Sequence, residues 1–491
     1  MFLRFPAIGL LLACCVSAVA QADDDDTRFL QDQTRRATEQ KAQAEQELAP
    51  TPGTLLYEGQ VYQVQDQALE PAIYIAINSN QWTRLPEFIA RYRALPGHRP
   101  ALVAMAESLL ARFQGDYPRA LQRMQAAREA EPDDVRIRLE LARLWFEDNQ
   151  DSNAREGFDH LLGAGLPPHA LALVEQYRQA LDSRADWHGS GALGWGYNDN
   201  INQANGYRRC ESYLAMLGVC LFERVMPEAM GSQMVNYEVS LQQRINLSGN
   251  HNLQLRPLSY GNYFSRTDDT SSASIRDYSN NLSLLQAGYQ YLNARDSLSV
   301  TPYLEHYYRN RHSDYLAHGL QLEWRRALDQ RWQLGTNLDA KRYHYSSQGL
   351  RTGANYEQYQ WGVFASFMAT PATSLYGGVN LSRKRYEVDA ASSRDWSARV
   401  GMYHLFDGEP GLYLNALGIY RDSRNEAYDG FLGARREDRQ QVYILSAGAS
   451  GWKLAGLTPE LRVRHSINES NLEWAFGYHQ TEVSLMLRKD F

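Results

Sequence analysis

The chain has little cysteine, no excess of positive charge and, after residue 22, no long apolar run. Each shortage excludes something. Of four cysteines in 491 residues, Cys14 and Cys15 lie in the apolar N-terminal stretch and only Cys210 and Cys220 lie beyond it. That leaves neither a disulfide scaffold nor paired Cys-x-x-Cys hooks for a metal. The 50 Lys and Arg are outnumbered by 57 Asp and Glu, for a formal charge of −7, so bulk charge excludes a nucleic-acid binder. Without 18 consecutive apolar residues no helix spans a bilayer, although strands escape that test because half of each is polar. GxSxG, HExxH and P-loop motifs are missing, as is any His and carboxylate cluster with ligand spacing. No enzyme activity, cofactor or metal is expected.

What is present begins with an export signal. Arg4 precedes an apolar run from Phe5 to Val19, and Ala18, Ala20 and Ala22 stand in A-x-A spacing, which predicts a signal peptide over 1–22. A lipobox reading of Leu11-Leu12-Ala13-Cys14 competes, but the apolar run continues past Cys14. Export puts the chain in an oxidising compartment, where Cys210 and Cys220, ten positions apart, are expected to clip a loop as a disulfide. Residues 23–65 open with four aspartates, lack an apolar stripe and read as a solvated tether.

Between 66 and 183 the apolar period is helical. Ala120, Met124 and Ala127 are followed 34 residues on by Ala154, Phe158 and Leu161. Small and large packing positions at that repeat resemble tetratricopeptide hairpins, with Glu107 and Ser108 standing where the pattern has Leu and Gly. Helices are predicted near 100–113, 118–130, 135–148 and 152–163, after a degenerate pair over 67–95 and before a closing helix over 168–183. The resemblance implies a concave peptide-holding surface with Met105, Leu109, Arg112 and Phe113 on one inner helix. On the next inner helix it implies Leu139, Arg143, Phe146 and Glu147. The competing reading packs these apolar residues against neighbouring helices.

From about 184 to the C-terminus the period becomes two. Val235, Tyr237, Val239 and Leu241 alternate with Asn236, Glu238, Ser240 and Gln242, and Trp332, Leu334, Thr336 and Leu338 with Gln333, Asn337 and Asp339. A soluble sandwich would show the same alternation, and turn lengths separate the two. Fourteen segments are joined by tight turns, as at Ser248-Gly249-Asn250 and Asp329-Gln330, that mostly alternate with long loops such as 199–232 and 424–437. This asymmetry predicts a fourteen-stranded antiparallel outer-membrane β-barrel with its short turns in the periplasm. The 31 tyrosines and 10 tryptophans suit interfacial girdles, and so do His306, His318 and His465, placed on outward faces toward the extracellular rim. Gly189, Gly191, Gly194 and Gly196 suggest either curvature or a weak seam. In the last strand Val483, Leu485 and Leu487 alternate with polar residues and the chain ends on Phe491. That pattern resembles the sorting signal read by the barrel assembly machinery, with Lys489 where the signal has an apolar residue.

The order of signal peptide, repeats and barrel resembles the surface lipoprotein assembly modulator (Slam) family of Gram-negative bacteria. So do the barrel's opening Gly194-Trp195-Gly196-Tyr197-Asn198-Asp199-Asn200-Ile201-Asn202 and the ending Leu487-Arg488-Lys489-Asp490-Phe491. The resemblance implies an outer-membrane translocator whose repeats recruit a client lipoprotein or secreted protein and whose barrel delivers it to the cell surface. Clients of that kind include proteins that capture iron or haem. Two other classes compete: a diffusion porin with an accessory domain, and an outer-membrane enzyme.

Overall fold

The computed structural model describes residues 66–216, 219–267, 275–309 and 311–491. The signal-peptide and tether readings of 1–65 lie outside them. Helices come first: α1 (Leu69–Asn78), α2 (Leu85–Arg93), α3 (Pro100–Phe113), α4 (Tyr117–Ala130), α5 (Val135–Glu147), α6 (Asp151–Leu162) and α7 (Pro168–Ala185). Gly115 at φ +73° ends the turn after α3, a conformation that costs glycine little. Asp116 then caps α4 by accepting from the Arg119 amide, and Asp134 caps α5 by accepting from Arg136 and Ile137. Such caps satisfy amides the helix itself leaves unpaired. The repeat positions Ala120, Met124, Ala127, Ala154, Phe158 and Leu161 are all fully buried. Ser108 fits where glycine is usual because its buried hydroxyl donates to the Ala120 carbonyl at 2.6 Å.

The strands that follow are β1 (His188–Asn198), β2 (Arg208–Leu214), β3 (Val219–Val225), β4 (Ser232–Ser248), β5 (His251–Thr267), β6 (Asn280–Leu292), β7 (Asp296–Arg309) and β8 (His312–Ala327). They continue as β9 (Trp332–Tyr345), β10 (Tyr356–Thr370), β11 (Thr373–Tyr386), β12 (Ser393–Leu405), β13 (Leu412–Asn425), β14 (Glu437–Ala449), β15 (Thr458–Ser470) and β16 (Tyr478–Asp490). All but β2 and β3 form one closed antiparallel barrel of fourteen strands. Among the described residues no helix is long and apolar enough to cross a membrane. The sheet does the crossing.

Burial parity decides between barrel and sandwich. On β7, Leu304 is 53% exposed while its neighbour Glu305 is 3% exposed. The same inversion runs round the sheet: Val235, Leu285, Leu338, Val379 and Leu485 face outward, and Asn236, Gln286, Asn337, Asn380 and Ser484 are buried inside. A water-soluble sandwich buries the opposite set. An apolar outside around a polar inside is a membrane barrel.

The parity also corrects the girdle reading of the tyrosines. Trp195, Tyr263, Tyr359 and Trp361 do face outward, but Tyr303, Tyr307, Tyr315, Tyr343 and Tyr356 share the inward parity of Glu305 and are buried in the lumen. Rings stack from strand to strand there, Tyr343 on Tyr356 at 4.0 Å and Tyr356 on Tyr386 at 4.5 Å between centroids.

The barrel closes where β1 pairs with β16 over nine residues and with β4 over eleven. Gly189 and Phe491 exchange backbone hydrogen bonds at 2.7 and 3.0 Å beyond that ladder. The β1 glycines do more than permit curvature. A Cβ at Gly194 would sit 2.1 Å from Met486 Sδ and 2.2 Å from Asn236 Oδ1. Its absence lets Asn236 of β4 reach past β1 and donate to Ser484 of β16 at 3.1 Å. Arg462 of β15 spans the same seam to Glu238 of β4 at 3.3 Å. The seam is therefore bridged from inside by side chains of β4, β15 and β16.

β2 and β3 form a separate hairpin in the first long loop, joined by the Cys210–Cys220 disulfide with Cα atoms 5.9 Å apart. The hairpin leans on a short extracellular helix, α8 (Glu473–Phe476), with the Arg224 guanidinium 3.9 Å from the Trp474 ring centroid.

Gly194→Val should lower the heat-modifiable folded fraction in outer membranes, because its side chain displaces the Asn236–Ser484 bridge; deletion of Phe491 should do the same by removing the final closing bonds. Normal assembly of both variants would contradict this account of closure. Mass spectrometry of protein from native membranes should find Cys210 and Cys220 oxidised, a closure that contributes about 3 kcal/mol in the chain-entropy picture. Replacing both with serine should increase protease cutting within 208–225 and leave barrel heat-modifiability unchanged.

Candidate functional site

The groove candidates separate by burial. Met105, Leu109 and Phe146 are at most 2% exposed and belong to the cores between helices, so they shape the repeats from within. Leu139 is half-buried against the second helical core. Phe113 is 61% exposed at the end of α3 and stacks on Trp82 at 5.2 Å.

The charged candidates are paired inside the domain. Arg112 of α3 donates from Nε to Glu147 of α5 at 2.6 Å, and Tyr117 donates to the same carboxylate at 3.3 Å. Burial draws the Arg112 pKa down, but the Glu147 hydrogen bond and charge outweigh it and hold the guanidinium above its ordinary range. Burial, reinforced by Glu147, pushes the Tyr117 phenol up to about 12, so it remains a donor. Arg143 contacts Glu140 at 3.1 Å and the Tyr177 hydroxyl at 3.2 Å. Here too burial lowers the pKa, and the charges of Glu140, Tyr177 and Glu147 together raise it above its ordinary value. These arginines tie successive inner helices together and leave part of each head exposed.

The loop between α5 and α6 seats the helical domain on the barrel. Asp148 accepts from the Ala294 amide at 3.1 Å and its carbonyl accepts from Asn250 at 2.5 Å, reaching two periplasmic turns at once. Asp151 then joins Arg184 of α7 at 3.0 Å and Arg244 of β4 at 2.7 Å. All three side chains are under 17% exposed, a geometry in which losing one partner strands a charge. Arg295 of the β6–β7 turn donates to the Gln114 carbonyl at 3.3 Å, which puts exposed Phe113 beside the barrel rim.

Between the docked domain and the lumen lies a cavity of about 690 Å³. Arg184, Arg244, Arg256, Arg295 and Arg325 contribute to its wall, with Asp296 and Glu323. Inward parity alone marks this vestibule in the sequence, because its members come from six separate segments. Further up, Glu305 holds Lys341 at 2.8 Å and Tyr315 at 3.1 Å, while Tyr303 donates to Asp339 at 2.9 Å. Charged and aromatic side chains thus line the inner wall.

The three histidines lie on the outward face. His318 stacks on His344 at 5.2 Å, His465 approaches Thr481 at 3.1 Å, and His306 approaches Ser313 at 2.9 Å. Val483 and Leu485 of the terminal strand also point outward and are exposed; Leu487 shares their parity and is half-buried.

Comparison with known proteins agrees with this architecture. A family profile described as "Surface lipoprotein assembly modifier" matches residues 187–491, and one for the family's N-terminal TPR repeats matches 57–158. The hemophilin secretion modulator of Acinetobacter baumannii is 26% identical, covering 98% of this chain and 99% of its own. Surface lipoprotein assembly modifier 2 of Neisseria meningitidis serogroup B is 24% identical, covering 95% and 96%. Among solved structures, the OccAB3 protein of A. baumannii overlaps 62% of this chain and 100% of its own at 10% identity, with a TM-score of 0.34. The barrel lies in the outer membrane with the helical domain in the periplasm, and the chain belongs to the surface lipoprotein assembly modifier family.

Proposed function

We propose that the protein moves a particular lipoprotein or secreted protein from the periplasm to the cell surface, the helical repeats recruiting the client and the barrel carrying it across. The observation that supports this reading is the placement of the repeats: Asp148 and Asp151 fix the helical domain on the periplasmic turns. A client held there stands at the vestibule. The relatives are named for surface lipoprotein assembly and for hemophilin secretion; by analogy the client here is a surface-anchored or secreted protein, with iron or haem capture as its role.

Contact with the client falls to the exposed part of the groove. Phe113 offers an apolar anchor next to the rim, and exposed aromatics of this kind dominate many interfaces. Leu139, Arg143 and the outer part of Arg112 extend the surface. Glu147 acts mainly by holding Arg112 in place.

Co-expression with a candidate client encoded nearby, scored by protease access on whole cells, tests the division of labour. Without residues 27–180 the barrel should still insert, and surface display of the client should fall at least tenfold. Full display without the repeats would refute recruitment. Display independent of the entire protein would favour the diffusion-pore reading. Phe113→Ala should reduce display several-fold with no change in barrel assembly, since an exposed side chain contributes little to folding. Asp151→Asn removes the carboxylate that Arg184 and Arg244 share and should loosen docking, seen as faster protease release of the helical domain from membranes.

A further inference from the structure

The outward face of β9–β14 carries six arginines at its extracellular end: Arg342, Arg383, Arg385, Arg394, Arg424 and Arg439. Three stand directly opposite one another on successive strands, Arg383 facing Arg394 and Arg394 facing Arg424. Like charges in that relation repel. Glu357, Asp422 and Glu437 lie on the same face, Glu469 of β15 stands opposite Arg439, and Glu426 follows β13 to pair with two of the arginines. Glu426 pairs with Arg383 at 2.9 Å and Arg394 at 2.7 Å, and Asp422 with Arg424 at 2.9 Å. The three arginine side chains nevertheless stay 50%, 72% and 51% exposed, so their remaining donors point into the surroundings.

Height and shape say what those surroundings are. Arg383 stands ten residues above Thr373, where β11 begins. A strand tilted by about 45° at about 3.3 Å per residue climbs roughly 23 Å over that distance, close to the top of an apolar band of about 25 Å. Directly below is an outward concavity of about 580 Å³ lined by Leu320, Leu338, Trp361 and Leu381 and ending at Arg383 and Arg394. The opposite side of the barrel is different. There Tyr197, Gln233, Tyr263 and Tyr308 occupy outward positions near the extracellular ends, with Arg266 in register with Gln233, and among the described residues of the barrel strands no other arginines face one another across successive strands as they do here.

We propose that this face binds a phosphorylated glycolipid of the outer leaflet, with acyl chains in the groove and phosphates on Arg383, Arg394 and Arg424. The row spans two strand spacings of about 4.8 Å, roughly 10 Å in all, which exceeds one phosphate and suits a headgroup bearing two. Arginine forks match phosphate oxygens in pairs. The carboxylates between them keep the arginines extended and set their spacing.

The test uses the full-length protein extracted from outer membranes in mild detergent and examined by native mass spectrometry, then titrated with bis-phosphorylated lipid A, its dephosphorylated form and phosphatidylglycerol. Bis-phosphorylated lipid A should copurify and bind at least tenfold more tightly than the other two. The triple variant Arg383→Gln, Arg394→Gln, Arg424→Gln should lose that preference while remaining heat-modifiable. Should the triple variant fail to assemble, Arg383→Lys with Arg394→Lys keeps the charge, removes the fork and should weaken binding severalfold. Equal binding by native protein and an assembled variant would overturn the site. Equal affinity for phosphatidylglycerol would overturn the glycolipid as its occupant.

Discussion

A bilayer core offers the backbone no water, so every amide and carbonyl that crosses it needs a partner within the protein. That requirement organises the chain. Fourteen strands satisfy it only if the first finds the last, and here the first is the shortest of the barrel, at 11 residues. β1 succeeds because its glycines remove what would keep β4 and β16 apart. Side chains from both neighbours then join over it, and closure becomes a three-strand arrangement rather than a single ladder.

A polar interior follows from the same constraint. The lipid-facing side can carry only what hydrocarbon and headgroups accept, so arginines, glutamates and amides collect inside. They neutralise one another there: Lys341 with Glu305, Arg462 with Glu238 and Glu460. Tyrosines join that lining in a stacked series.

Much of this was legible in the sequence. Period two and the turn lengths gave the fourteen strands, since one slip in register would turn every side chain to the wrong face. The 34-residue recurrence gave the helices for a similar reason: Ala120, Met124 and Ala127 pack only at that spacing. What stayed hidden depends on distance in space. Asn250, Asn293 and Asp148 look like ordinary turn residues until they meet. The β2–β3 hairpin exposes both faces, so Arg208-Arg209-Cys210-Glu211 shows no alternation to read. The tyrosines were readable in principle, because Tyr303 and Tyr307 flank Glu305 at the same parity. Composition alone pointed to the interface instead.

The joint between the two halves is very short. α7 ends at Ala185 and β1 begins at His188, and the residues around the joint are held by His188 to the Ser183 carbonyl at 2.6 Å and Gln243 to the Ala185 carbonyl at 3.1 Å. A helix of 18 residues is about 27 Å long, a stiff arm anchored to the strand that seals the wall. There is no slack at that pivot to absorb rotation. A rotation of the helical domain would therefore be passed to β1 as well as to the turns that Asp148 grips.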